Sequence, residues 1–393
     1  MQHHWMYGLL LVCVVLTRVT YPEYRGRHLG ADRGQPLSSG GVHAESSERR
    51  GIGNSGAKRY LYAAFNDGSM HVYDIDEGHR ESQSFSTVGG VTDVRGVCAS
   101  AATGQLYLAH QTPNGGSVIA VDLYSNTVLW TKTYHPNVDR LSCTPDGRKL
   151  YIPCHESFTD DCVIVVDAAT GAEFSRIHVS PRPHDCLNSL SGDRVYIETK
   201  SSAYITVIDT GTETILKQIG PFTGIGGPYT INGNQARLYG NFFGVNGFQI
   251  GDITTGHVVG TAEIAGQTSV PGQLNQHGIG LRPDETEVWV NDGVGGQPFI
   301  HVFDVTVSPP RHIHAVRLSY THPHWVTFTI NGDFAYPAGP KRGGRPTDVI
   351  DTSTYARVTA IGPSEDLLEV DVEHGRIVRV GNQFGVGRVT QAP

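Results

Sequence analysis

TPDGRKLYIPCHESFTDDCVIVVDAATG, residues 144–171, contains a turn, an apolar strand around Tyr151, a polar loop, and a second strand that ends in Asp167 before another turn. An Asp at a strand end can bond the backbone two residues on and start a turn. Working outward, the same strand-end Asp recurs at Asp74, Asp122, Asp209, Asp252, Asp304 and Asp351, at intervals of 42 to 52 residues. An aromatic strand precedes each copy by 12 to 16 residues, at Tyr62, Tyr107, Tyr151, Tyr196, Tyr239, Trp289 and Tyr336. Turns rich in Gly, Asp or Asn stand upstream, as in TPDG before Tyr151, LSGD before Tyr196, RPDE before Trp289 and INGD before Tyr336.

Each unit therefore reads as strand, turn, aromatic strand, loop, strand ending in Asp, turn, strand. Seven repeats of such a unit predict an all-β fold, a seven-bladed β-propeller of four-stranded antiparallel blades. The first unit begins at its aromatic strand, RYLYAAF, and lacks an inner strand. DLLEVDV, 366–372, is left over at the other end, so it is expected to supply that strand and close the ring. Residues 376–393 have no place in this scheme.

The units resemble the YVTN-type β-propeller repeat, whose units run through a Pro-His-Gly start and a Pro-Asp-Gly turn to Tyr-Val-Thr-Asn. Matching positions read Tyr-Ile-Glu-Thr at 196–199, Trp-Val-Asn-Asp at 289–292 and Tyr-Leu-Ala-His at 107–110. The resemblance covers about 60–362 and implies the propeller fold; it carries no catalytic residue.

Composition bounds the rest. The chain has 393 residues, of which 48 are Gly and only 17% are charged, with a net charge of −8. No basic stripe interleaved with aromatics occurs, so nucleic acid is not an expected partner. The apolar run Met6–Leu16 is too short for a membrane span and fits a secretory signal. Residues 1–20 are read as a signal peptide, 21–57 as a flexible linker and 58–393 as the propeller. That predicts a secreted or periplasmic monomer with no membrane span in the mature chain. Cys154 and Cys162 flank a short loop and could be bridged, or could be buried small apolar residues. No G-x-S-x-G, P-loop, H-E-x-x-H or C-x-x-C motif occurs.

The chain contains 19 His, and their placement matters more than their number. Twelve residues before each repeat aromatic stand Arg95, Asp139, His184, Gly227, His277 and His324, all at the start of an inner strand facing the central channel. His322 lies two residues before His324, across Pro323. Antiparallel order brings the loop after each aromatic strand to the same mouth, with His110, His155, Asn241, Asn291 and Asp292. Imidazoles from separate blades suit a divalent metal with open positions for substrate. His184, His277, His324 and His322 are the predicted metal ligands. Arg95, Arg140, His110, His155 and Tyr229 are the predicted catalytic set: Arg95, Arg140 and Arg342 to grip a carboxylate, and His or Tyr to move a proton. His71, His178, His257, His301, His312 and His314 fall in middle or outer strands or their turns and are expected on the surface.

Three functions fit this pattern. The first is a metal-dependent enzyme acting on a small, polar or anionic, carbohydrate-like molecule or oligosaccharide; it resembles in architecture the propeller lyases such as oligogalacturonate lyase and streptogramin B lyase. The second is a metal-free hydrolase, similar to 6-phosphogluconolactonase-like propellers in Pro183–His184 and Pro323–His324. The third is a non-catalytic binding scaffold.

Overall fold

The computed structural model describes residues 56–91, 93–112, 115–157, 159–267, 277–292, 297–339 and 344–390. The proposed signal and nearly all of the linker, Arg342, and the last residues of the chain lie outside them. Within them the protein forms seven antiparallel sheets arranged as propeller blades, six of four strands and one of five.

The two sequence signatures explain the blades. All seven strand-end Asp side chains accept backbone N–H bonds from the turn that follows, for example Thr170 N–H to Asp167 Oδ1 at 2.8 Å. The seven aromatics are buried, and each helps fill the seam between neighbouring blades. Where blade one meets blade two, Tyr62, Met70 and Val72 pack with Val97, Leu108 and Ile119. Every blade carries a register shift between its third and outer strands, which adds local twist.

The ring closes as expected. Asp366–Glu373 pairs antiparallel with Lys58–Ala64, from Lys58 opposite Val372 to Ala64 opposite Asp366. Arg59 locks the seam. It grips both oxygens of Asp333 in blade seven at 2.8 and 2.7 Å and reaches Glu369 of the closing strand at 2.9 Å.

The segment left unplaced by sequence has a definite position. Arg376–Val380 adds a fifth strand to blade one, inside the closing strand. The chain then crosses the channel. Gln383 accepts from Val97 N–H of blade two (2.7 Å), and its carbonyl accepts from Thr327 Oγ1 of blade seven (2.6 Å). The Gly385 carbonyl accepts from Thr230 Oγ1 of blade five and Leu281 N–H of blade six, both at 2.7 Å. Gly387 and Arg388 donate back to Ile231 and Pro283. This tail spans the channel at the face where the inner strands end, so the mouth at which those strands begin is left for a site.

His301 is buried rather than superficial, a correction to its expected place. Its Nε2 lies 3.3 Å from Asp292 Oδ2 and its Nδ1 3.1 Å from His312 Nε2. A third strand has both faces covered by neighbouring blades at its inner end, which the alternation alone does not reveal.

His79 makes the blade one–seven seam pH-dependent. It follows the Asp74 turn in a left-handed conformation, and its Nε2 pairs with the Tyr336 hydroxyl at 2.8 Å. Burial, then the nearby Arg59 charge, push its pKa down to about 4. A group lowered on folding contributes stability above its unfolded pKa of about 6.5 and loses it as pH falls through the folded value. Wild type is expected to lose roughly 3 kcal/mol more stability than His79→Asn between pH 7 and pH 4. Urea midpoints at the two pH values measure this, and identical pH slopes would sink it.

Candidate functional site

The open mouth gathers most of the register positions, and inner-strand irregularities help aim them. In blades two, four and five the first and second strands shift register around Arg95, His184 and Gly227. A bulge of this kind turns a side chain out of the sheet's regular alternation. In blade three, Asp139 and Arg140 precede a two-residue inner strand, Ser142–Cys143, and Arg140 bridges to Asp185 of blade four.

At the centre of one side lie Asp139, Glu156 and His184, each offering a ligand atom within 4.8 Å of the others. His184 Nδ1 is 2.9 Å from Asp139 Oδ2 and 3.9 Å from Glu156 Oε2. Arg95 binds the outer oxygens of the same carboxylates: its Nε is 2.9 Å from Asp139 Oδ1 and its Nη2 3.0 Å from Glu156 Oε1. The inner oxygens and the imidazole thus face one another, while a guanidinium fixes their far sides. Where carboxylates do bind a metal, outer partners of this kind orient them.

Electrostatics keep both carboxylates ionised. Burial alone would raise Asp139, but the His184 and Arg95 charges hold it well below the usual carboxylate range. Burial likewise opposes ionisation of Glu156, and His184, Lys200 and Arg95 bring it down to about 2. His184 is lowered by burial but raised on balance by Asp139 and Asp185. His155 stands beside this group, at φ 96°, with Nδ1 accepting from Ser157 N–H at 3.0 Å. A disulfide between Cys154 and Cys162 pins the loop carrying His155 and Glu156, with Cα atoms 5.6 Å apart.

A second layer lies next to it. Arg140 is buried, stacked 4.0 Å over the Trp325 ring, with Nη1 2.9 Å from Asp366 Oδ1. Glu365 and Asp185 each approach its guanidinium at 3.7 Å. Glu198 and Lys200 form a buried pair at 3.5 Å. Burial pushes Glu198 up to about 7 against the pull of Lys200 and His184. Neither Asp185, Glu198 nor the Lys200 amine has a hydrogen bond among the described residues. The carboxylates Asp139, Glu156, Asp185, Glu198, Glu365 and Asp366 outnumber the cations Arg95, Arg140 and Lys200.

The predicted ligand set is therefore rearranged. His277 and His324 do meet, but as parallel rings stacked 3.7 Å apart with planes 5° from parallel. A metal lies in the plane of each imidazole that binds it, at about 2.0–2.1 Å from nitrogen, so rings stacked face to face cannot both hold one ion. His324 Nδ1 instead sits 2.8 Å from Glu365 Oε2. Burial, then the charges of His324 and Lys200, hold His277 well below the usual histidine range, and its Nδ1 has no hydrogen bond among the described residues. His322 is exposed, its ring against Thr321 Oγ1, and does not join. Of the predicted ligands only His184 sits in the Asp139–Glu156 group.

The predicted catalytic set divides as well. Arg95, Arg140 and His155 are at the site. Tyr229 is not available as a phenol: its ring lies in a core cluster and its hydroxyl donates to the Tyr196 carbonyl at 2.6 Å. His110 is buried with Nδ1 against the Gln111 carbonyl at 3.3 Å, and no contact ties it to the Asp139 group. Sequence reasoning missed Glu156, Asp185, Glu198, Lys200, Trp325, Glu365 and Asp366. Asp139 was visible in the register, and Glu156 follows His155 in the same loop. Glu198 and Lys200 alternate from Tyr196 toward the same mouth. Nothing local marks Glu365 or Asp366.

No family model matches the chain, and no curated protein does. Among solved structures the chain is similar to hydrazine synthase of Kuenenia stuttgartiensis, with a TM-score of 0.53 and 20% identity over 67% of this chain and 78% of that one. It is also similar to the β-propeller domain of Cps50 (Swd1) from Myceliophteria thermophila, with a TM-score of 0.55 and 12% identity over 71% and 89% of the two chains. The fold is a seven-bladed β-propeller. At such identities the likeness carries that fold alone, and the chemistry rests on the residues at the mouth. Among the described residues no helix is long and apolar enough to cross a membrane.

Proposed function

We propose that the protein is an exported, monomeric enzyme of the YVTN-type propeller kind, a lyase or hydrolase that uses a divalent cation at the open mouth. Its substrate is a polar or anionic, carbohydrate-like small molecule. The observation that carries this reading is the Asp139–Glu156–His184 group, with three ligand atoms within 4.8 Å and Arg95 on the outer carboxylate oxygens. Asp139, Glu156 and His184 would hold the ion, and the surplus of carboxylates around them favours a cation. When bound, the ion supplies Lewis acidity toward a carbonyl or carboxylate oxygen. Arg140 and Lys200 attract the anionic part of the substrate. His277, held neutral by its surroundings and with no hydrogen bond at Nδ1 among the described residues, accepts a proton. The half-exposed Glu156 and His324 side chains, 29% and 28% accessible, give the route in.

A metal-free hydrolase is the second reading. In its favour, Arg95 and His184 already neutralise Asp139 and Glu156.

The test uses protein purified without a histidine tag, stripped with EDTA, incubated with Mn²⁺ or Zn²⁺ and desalted. Elemental analysis is expected to find close to one equivalent, falling at least tenfold in Glu156→Gln and in His184→Gln. Absence of retained metal in wild type, or equal retention in both variants, would overturn the metal-dependent reading and leave the metal-free one.

A further inference from the structure

The candidate site makes no use of a second cavity at the opposite face. It has a volume of about 180 Å³ and lies between the C-terminal tail and the inner-strand ends of blades two, three and four. Val97, Leu141 and Phe384 form apolar walls, and Asn188, Gln383 and Arg388 supply polar ones. The exposed Pro145 also lines it.

Its polar groups are unmet. Asn188 is 5% exposed, and neither its amide nitrogen nor its amide oxygen has a hydrogen bond among the described residues. Gln383 spends its oxygen on Val97 N–H, but its buried Nε2 has no hydrogen bond among the described residues. Leaving a buried amide without a partner is costly, so two such amides lining one cavity point to an occupant. Arg388 donates to the Val380 carbonyl at 2.7 Å and makes no ion pair among the described residues. The carboxylates nearest it are already engaged, Glu369 by Arg59 and Asp371 by Arg379.

The balance of these groups selects the ligand. Among the described buried side-chain atoms that line it, Asn188 Nδ2 and Gln383 Nε2 donate beside the Arg388 guanidinium, against one unmet acceptor, Asn188 Oδ1. Water would serve donors and acceptors alike, whereas an excess of donors with a cation favours an anion, and the apolar walls favour a hydrocarbon body. The volume is below that of a typical drug-sized pocket, which limits the body to a short chain. We propose that this cavity binds a small aliphatic monocarboxylate. The carboxylate meets Arg388, Asn188 and Gln383, and the chain lies against Val97, Leu141 and Phe384. The inference is independent of the metal-dependent reading, since the two sites lie at opposite ends of the channel.

Butyrate is the probe, titrated into the full chain at constant ionic strength and read by calorimetry and thermal shift. Butyramide and butylamine serve as the neutral and cationic controls. Butyrate is expected to bind saturably and raise Tm, with the two controls at least tenfold weaker. Arg388→Met and Asn188→Leu should each weaken butyrate at least tenfold, while Glu156→Gln should bind it like wild type. Asn188→Leu removes both unmet amide atoms at similar volume and keeps the test open if Arg388→Met fails to fold. No saturable binding of butyrate up to about 50 mM, well past the ~1 mM scale of weak ligands, overturns the proposal. So does equal binding of butyramide, or binding unchanged in both cavity variants.

Discussion

A chain ending at Gly362 is expected to lose its cooperative unfolding transition and to collect in the insoluble fraction. The truncation removes Leu367, Leu368 and Val370, all essentially inaccessible in the closed ring. Burial of one such side chain contributes about 1.5–3 kcal/mol, so three contribute roughly 5–9 kcal/mol, against a total of about 5–15 for a typical domain. The cut also strips the backbone ladder from Lys58–Ala64 and leaves Arg59 without Glu369. The exposed edge of blade one would then be free to pair with other chains. Circular dichroism melts and a sedimentation assay decide the matter. A soluble, cooperatively melting product would mean that the ring does not depend on its closing strand. A chain ending at Glu373 keeps the closing strand but loses the fifth strand Arg376–Val380 and the tail, and it is expected to stay folded at reduced stability.

Replacing Arg140 with Met should cost about 3–5 kcal/mol, the range for removing one partner of a buried ion pair. The guanidinium is the cation that Asp366, Glu365 and Asp185 share inside the mouth, and its face covers Trp325. Met retains much of the packing but none of the charge, so the loss reads mainly as electrostatics. Arg140→Lys should recover only part of it, because an ammonium neither stacks as a plane nor reaches separate carboxylates at once. Urea midpoints at pH 7 measure both variants. If Arg140→Met unfolds with wild type, the carboxylates find their compensation elsewhere and Arg140 is not the keystone of the mouth. The metal measurement separates this from loss of the site, because Asp139, Glu156 and His184 do not depend on Arg140 for a direct bond.

The site was partly legible for a specific reason. The twelve-residue offset from the repeat aromatics placed Arg95, Asp139 and His184 in one register, and the structure brings these three together. The same offset put His277 and His324 side by side, but not how their rings meet. They stack because neighbouring inner strands approach closely: a Cβ added at Gly278 would fall 1.7 Å from the His324 carbonyl oxygen. The group that could hold an ion has one imidazole and two carboxylates rather than imidazoles alone. Residue type suggested imidazoles, whereas the bulge at Arg95 and the pinned His155–Glu156 loop turned acids inward. Tyr229 stands two residues past the register position Gly227, but its hydroxyl is taken by the Tyr196 carbonyl of the neighbouring blade.

The sequence by itself determined the number of blades, the strand order within each, the turns built on the seven Asp side chains and the strand that closes the ring. Those features are local or periodic, and a repeat records them in the spacing of its own residues. Only the tertiary structure decided what meets on the axis, namely the tail from Gly381 onward, the carboxylates Glu365 and Asp366 against Arg140, and the cavity around Asn188. Residues far apart in the chain converge there because the ring bends every inner strand toward one line. No periodicity along the chain encodes which side chains that line will receive.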